Sequence, residues 1–191
     1  METFLLSTGI VALAEIGDKT QLLALLLAAK FRKPLPIILG ILVATLANHA
    51  LAGALGAWIT TAVSQEAMRW ILGLSFMAMA LWALHPDKIG DDDQRYARYG
   101  AFASTVVVFF LAEIGDKTQV ATVALAAQHS SLGAVIMGTT LGMMIANVPA
   151  VYLGERVVTK ISAKYVRIAA ALMFFVIGIL TLAGIGDRLG F

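Results

Sequence analysis

The sequence predicts an all-α membrane protein whose six transmembrane helices form two inverted three-helix repeats. Three observations lead there: an apolar content suited to lipid, six stretches long enough to span a bilayer, and an acidic octapeptide that occurs twice, 98 residues apart.

Of 191 residues, 60% are hydrophobic and 14% charged, against roughly 45–50% and 25% in soluble domains. Mean hydropathy is +0.86. The 14 Lys and Arg against 12 Asp and Glu leave a net charge of +2, too balanced to suggest a nucleic-acid partner. There is no cysteine, which excludes disulfides, thiolate metal sites and cysteine nucleophiles.

Crossing the hydrocarbon core as a helix takes about 20 apolar residues. Six stretches qualify: 3–29, 35–63, 68–84, 100–127, 132–153 and 166–186. The chain opens Met1-Glu2-Thr3 without a basic region, and its first apolar stretch is too long for a cleaved signal peptide; that helix is expected to stay. Little chain is left outside the spans, so a soluble catalytic domain, and an enzyme, are not expected. Residues 1–84 form the first repeat, 85–99 a cytoplasmic linker and 100–191 the second repeat, within one membrane domain.

Orientation follows from basic residues in the short loops. Lys30, Arg32 and Lys33, then Lys88, Arg95 and Arg98, then Arg156, Lys160 and Lys164, with Arg167 at the edge, share one side. The other side offers Arg69 and Arg188. The first set is expected to face the cytoplasm, placing both termini outside.

The repeat is explicit. Ala14-Glu15-Ile16-Gly17-Asp18-Lys19-Thr20-Gln21 recurs identically as Ala112-Glu113-Ile114-Gly115-Asp116-Lys117-Thr118-Gln119. The same offset aligns Ala28-Ala29 with Ala126-Ala127, Gly40 with Gly138 and Arg69 with Arg167, and a one-residue gap aligns Ala47-Asn48 with Ala146-Asn147. Three helices per half is an odd number, so the second half enters the membrane from the opposite side. Transporters built this way bind substrate near the midplane, where the repeats meet.

Each acidic motif falls about halfway along its span. On a continuous helix, Glu15, Asp18 and Lys19 share one face, with Gln21 beside Asp18 and Thr20 turned towards a carbonyl of the preceding turn. A central Asp or Lys costs roughly 2.5–3.5 kcal/mol on insertion scales. Four carboxylates and two ammoniums facing lipid would cost on the order of 15–20 kcal/mol, more than most domains' total stability. The groups must therefore face inward. Four carboxylates with Lys19 and Lys117 leave two negative charges, which a divalent cation or two protons neutralise. The candidate metal ligands are Glu15, Asp18, Glu113 and Asp116, with amide oxygens of Gln21, Gln119, Asn48 and Asn147 in reserve. Oxygen ligands suit hard ions such as Mg²⁺, Ca²⁺ and Mn²⁺. Gly17 and Gly115 weaken the helix and permit close approach to the backbone.

Blander readings stand beside these. Glu15–Lys19 and Glu113–Lys117 have the i,i+4 spacing of structural ion pairs, which leaves Asp18 and Asp116 unexplained. Asn48 and Asn147 serve equally as interhelical glue. His49, matched by Val148 in the second half, reads as a satisfied polar residue rather than a ligand or proton carrier. Met143 and Met144 read as packing, and Gly53, Gly56, Gly138 and Gly142 as close-packing surfaces. Asp91-Asp92-Asp93 reads as a solvated acidic turn. Pro149 should kink the fifth span, where the second span has Ala50.

The doubled E-x-G-D-K-T motif in a small six-helix chain resembles a family of manganese/calcium cation transporters, with Golgi, chloroplast-envelope and bacterial members, the last including manganese exporters of the MneA type. The resemblance covers essentially the whole chain. It implies that Glu15, Asp18, Glu113 and Asp116 carry the metal, and that Lys19, Thr20, Lys117 and Thr118 belong to the same signature. It also implies a bacterial inner-membrane protein that expels Mn²⁺, or Ca²⁺ by the same mechanism. The expected partners are a divalent metal ion, protons or Na⁺ as counter-ion and the lipid bilayer, with no resident cofactor and no obligatory protein partner. Rival readings are an intramembrane aspartyl protease using Asp18 and Asp116, a passive channel, and an exporter of another small solute. The lysine after each aspartate opposes the protease dyad, and four acidic groups suit a cation best.

Overall fold

The structure is a computed structural model that describes residues 1–85, 100–153 and 163–184. Among these residues it contains eight helices and no strand. They are α1 (Glu2–Glu15), α2 (Lys19–Phe31), α3 (Pro34–Ala62), α4 (Gln65–Ala83), α5 (Gly100–Glu113), α6 (Lys117–Gln128), α7 (Leu132–Leu153) and α8 (Ala163–Leu182). Asp91-Asp92-Asp93 and the basic residues Lys88, Arg95, Arg98, Arg156, Lys160 and Arg188 lie outside the described residues.

Two helices, Pro34–Ala62 and Leu132–Tyr152, are each long and apolar enough to cross a membrane unaided. Along α3, Leu39, Val43, Leu46, Leu51 and Leu55 are exposed, while Thr45, Asn48 and His49 are fully buried among apolar and small residues. An apolar exterior that encloses buried polar groups fits lipid as the surrounding medium. Exposed Trp and Tyr side chains lie near helix ends: Trp58 and Trp70 at one end of the α3–α4 pair, Trp82, Tyr152 and Tyr165 towards the ends of α4, α7 and α8. Such rings favour the headgroup level.

The expected spans 3–29 and 100–127 are not continuous helices. Each is broken at the acidic motif, between Glu15 and Lys19 and between Glu113 and Lys117. The cause is local: Gly17 and Gly115 adopt φ of 82° and 75°, a left-handed conformation that glycine reaches at little cost and other residues rarely adopt. The single polar stripe expected for Glu15, Asp18 and Lys19 therefore does not form.

Packing pairs the two halves crosswise. α1 lies along α7 and α5 along α3, while α2 also meets α7, α6 meets α3, and α4 packs on α8. Small residues make the close crossings possible. A side chain at Gly40 would meet the Phe102 carbonyl and Thr105, and one at Gly138 would meet the Phe4 carbonyl and Ser7. The three positions of the first contact recur in the second at the 98-residue offset, two with the same residue and the third with Ser7 in place of Thr105. Gly53, Gly56 and Gly142 sit at similar contacts, in line with their expected packing role. α7 runs through Pro149 as one helix.

These contacts separate two kinds of glycine. Gly56→Ala drives Cβ into the Val123 carbonyl, a backbone atom that cannot rotate aside, and should cost about 2 kcal/mol. Gly9, mid-helix in α1 with nothing within 4 Å of the added Cβ, should accept Ala with no loss or a gain of up to about 1 kcal/mol. Thermal unfolding in detergent ranks the two; equal melting temperatures would contradict the α3–α6 contact.

Candidate metal site

The two helix breaks set the site. Beyond each glycine the chain restarts as a helix with Asp18 or Asp116 in the N-cap position. The Asp18 carboxylate accepts from the Lys19 backbone N–H at 2.6 Å. Gln21 Oε1 accepts the Gly17 N–H at 3.0 Å, and Gln119 Oε1 the Gly115 N–H at 2.7 Å. These bonds satisfy donors that a broken helix would leave orphaned. The Gln21 amide also donates to the Ala146 carbonyl at 2.8 Å, fastening the first break to α7. The two glutamines expected as reserve ligands are thus engaged in holding the breaks, each through its amide oxygen.

Glu15 and Glu113 end α1 and α5 and point inward; both are essentially inaccessible, as are Asp18 and Asp116. One carboxylate oxygen each from Glu15, Glu113 and Asp116 lies within 4.8 Å of the others. Asp18 is buried nearby but outside this group of three. Thr20, expected to turn towards a backbone carbonyl, instead donates to Glu15 Oε1, and Thr118 donates to Glu113 Oε2 at 3.0 Å. Five residues separate each Thr from its Glu, which on an unbroken helix would put them on different faces; the left-handed glycine folds one over the other. Nothing in the helical spacing signalled this, although a glycine inside each motif was the clue to the break.

The lysines do not follow the blander i,i+4 reading. Lys19 pairs with Asp116 at 3.2 Å and Lys117 with Asp18 at 2.6 Å, each reaching across to the other motif. Asn48 donates to the Phe110 carbonyl at 3.0 Å, linking α3 to α5. Asn147 donates to the Met143 carbonyl and sulfur of its own helix. Both asparagine oxygens are buried without a hydrogen-bond partner, as are Glu15 Oε2 and Glu113 Oε1. Both ring nitrogens of His49 are likewise buried without a hydrogen-bond partner, so the expected satisfied histidine is not what the structure contains. Buried polar atoms are nearly always paired, and these four oxygen acceptors, on α1, α3, α5 and α7, have the chemistry to take a cation.

A cavity of about 690 Å³ opens elsewhere, where the ends of α3, α4, α6 and α8 meet, lined by Thr60, Gln65, Glu66, Arg69 and Gln128 among others. It is separate from the carboxylate cluster and shares no residue with it.

An apolar exterior, interrupted helices and a buried acidic cluster are features found together in membrane transporters. The chain belongs to the GDT1 family: the family model described as divalent cation/proton antiporter GDT1 matches residues 3–91 and 101–187. A Vibrio cholerae protein that carries the provisional name manganese exporter is 48% identical over 182 residues, covering 95% of this chain and 90% of its own. GDT1-like protein sll0615 of Synechocystis is 29% identical over 192 residues, covering 90% and 92%. GDT1-like protein 5 of Arabidopsis thaliana is 26% identical over 220 residues, covering 95% and 96%. No solved structure matches the chain.

Proposed function

We propose that this protein exports a divalent metal cation, Mn²⁺ foremost, from a bacterial cell in exchange for protons, through the carboxylates at the two helix breaks. The observation that carries the reading is the convergence of Glu15, Glu113 and Asp116 oxygens within 4.8 Å, with Asp18 next to them. Spacing of this order lets one ion bind several oxygens after small side-chain movements, since hard cations take oxygens at about 2.0–2.6 Å. The orphaned oxygens of Asn48 and Asn147 are further ligand candidates, while Gln21 and Gln119 support the breaks and are ligands only if they exchange their backbone partners. An oxygen donor set suits Mn²⁺ and Ca²⁺ alike, and Mn²⁺ is placed first on the name of the Vibrio cholerae relative.

The proposed arrangement is six spans in two inverted repeats, 1–84 and 100–191, joined by 85–99, with the broken helices counted as one span each and both termini outside the inner membrane. The crosswise pairing α1–α7 and α5–α3 supports it, and so do discontinuous helices, which transporters use to line ion sites at the midplane. On this topology the 690 Å³ cavity opens to the outside. In the cysteine-free chain, Thr60→Cys in that cavity should react with a membrane-impermeant maleimide added outside intact cells, and Lys33→Cys only after permeabilisation. The reverse pattern would invert the orientation.

Exporting a divalent ion against an interior-negative potential of 100 mV costs about 4.6 kcal/mol, so a coupled source of energy is required. Four carboxylates and two lysines leave a site charge that one M²⁺ or two protons balance, and exchange in that ratio is electroneutral. Mn²⁺ flux in proteoliposomes, read with a metal-quenched dye, should therefore saturate, collapse when the pH gradient is dissipated, and change less than twofold when the potential is clamped with valinomycin. Flux driven by a Na⁺ gradient at equal pH would replace protons with Na⁺ as counter-ion. Preference for Ca²⁺ over Mn²⁺ would change the cargo and keep the mechanism.

A further inference from the structure

The crossed ion pairs carry an inference that rests on reading the carboxylate cluster as the cation site. We propose that Lys19 and Lys117 are tethered counter-ions that compete with the transported cation for Asp116 and Asp18, and that they bridge the two halves of the protein whenever the cation is absent. Three features lead to this. First, Asp116 belongs both to the three-carboxylate group and to the Lys19 pair, so an ion and an ammonium contend for the same side chain. Second, Asp18 is held by Lys117 at 2.6 Å and lies outside the group of three. Releasing that pair would free a fourth carboxylate for the ion. Third, both pairs cross between motifs. A lysine paired with the glutamate of its own motif would balance charge equally well, but only a crossed pair ties one half to the other.

The competition has a physical basis in burial. The Asp18 and Asp116 side chains are inaccessible, and the Lys117 side chain is only 6% exposed. An isolated charge in such a place is strongly disfavoured. The aspartates therefore need a positive partner in every state, and a cation or a lysine can fill that role. Lys19, with 22% of its side chain exposed, has a way back towards water when an ion takes its place. Such an exchange makes ion affinity moderate by construction, which suits a carrier that must also release its cargo.

The sign of an affinity change separates this from a merely structural pair. Mn²⁺ chloride is titrated into the purified full-length protein, and binding is followed by electron paramagnetic resonance of the free ion. If the lysines compete with the ion, Lys19→Gln and Lys117→Gln each bind Mn²⁺ at least tenfold more tightly than the wild type. Lys19→Arg and Lys117→Arg, which keep the charge, stay within threefold. Turnover in proteoliposomes falls in the Gln variants, because a tightly held ion leaves slowly. Should a Gln variant fail to fold, Lys19→Gln/Asp116→Asn removes both charges and is compared with Asp116→Asn alone. With the contested carboxylate gone, the double variant should bind Mn²⁺ within threefold of Asp116→Asn, whereas a tenfold difference would mean that Lys19 acts by charge repulsion alone and not through Asp116. Equal or weaker binding in the Gln variants, or a tenfold difference in that last pair, overturns the proposal while leaving the transport reading intact. A wild type that binds no Mn²⁺ removes both.

Discussion

Glu15→Gln and Glu113→Gln, made one at a time, should each lower Mn²⁺ flux at least a hundredfold and leave the fold in place. Each glutamate is the last residue of its helix, fully buried, with one oxygen held by a threonine hydroxyl and the other without a partner. Glutamine keeps the size and the oxygen that Thr20 or Thr118 donates to, and removes only the charge. In the empty protein that change relieves the cost of a buried carboxylate, so melting temperature should hold or rise. In the ion-bound state a charged ligand is lost from a poorly solvated site. A loss of about 3 kcal/mol in binding the ion is expected there, and each 1.4 kcal/mol is a factor of ten. Flux and melting temperature measured on the same preparations test both halves of the expectation. Flux above one-tenth of wild type in either variant would mean that the ion passes by other ligands.

Gly138→Val and Gly142→Val should show the opposite pattern, losing stability first and flux with it. At Gly138 an added Cβ would lie 2.5 Å from the Phe4 carbonyl oxygen and 2.9 Å from Ser7 Cβ; at Gly142 it would lie 2.6 Å from the Thr8 carbonyl oxygen and 2.9 Å from the Ala12 nitrogen. Most of these obstacles are backbone of α1, so only a shift of the whole helix relieves them. Overpacking of this kind costs about 1–3 kcal/mol and occasionally more, and two backbone contacts at one site argue for the upper end. α1 carries Glu15 at its far end, so the shift also moves a candidate ligand. Gly133→Ala, where nothing lies within 4 Å, is the control. Wild-type melting temperatures in both valine variants would contradict the α1–α7 contact from which the site is built.

Much of this was legible in the chain. Membrane character followed from the scarcity of charge, and the exposed leucines with buried Thr45 and Asn48 on α3 agree with it. The identical octapeptides pointed to the residues that the structure brings together from distant parts of the sequence. Family membership followed from the same residues. What the sequence did not disclose were consequences of one backbone choice. Helical periodicity assumes that φ stays negative, and Gly17 and Gly115 depart from it at the place where the chemistry lies. Thr20 consequently lands on Glu15 and Gln21 on the Gly17 N–H. Lys19 and Lys117, whose i,i+4 spacing offered pairs with Glu15 and Glu113, cross to the opposite motif. The partner of a long buried side chain is set by tertiary packing, and local spacing could not supply it. Asn48 was foreseen as interhelical glue or ligand, and the structure gives its amide the first role while leaving its oxygen open for the second.

The most direct test of the central claim is to locate the ion. Crystals of the protein grown with Mn²⁺, with diffraction collected at the manganese absorption edge, should give one anomalous peak per chain, bounded by oxygens of Glu15, Glu113 and Asp116 at about 2.0–2.6 Å. A peak confined to another part of the chain, or none there under conditions where Mn²⁺ is transported, would contradict the account.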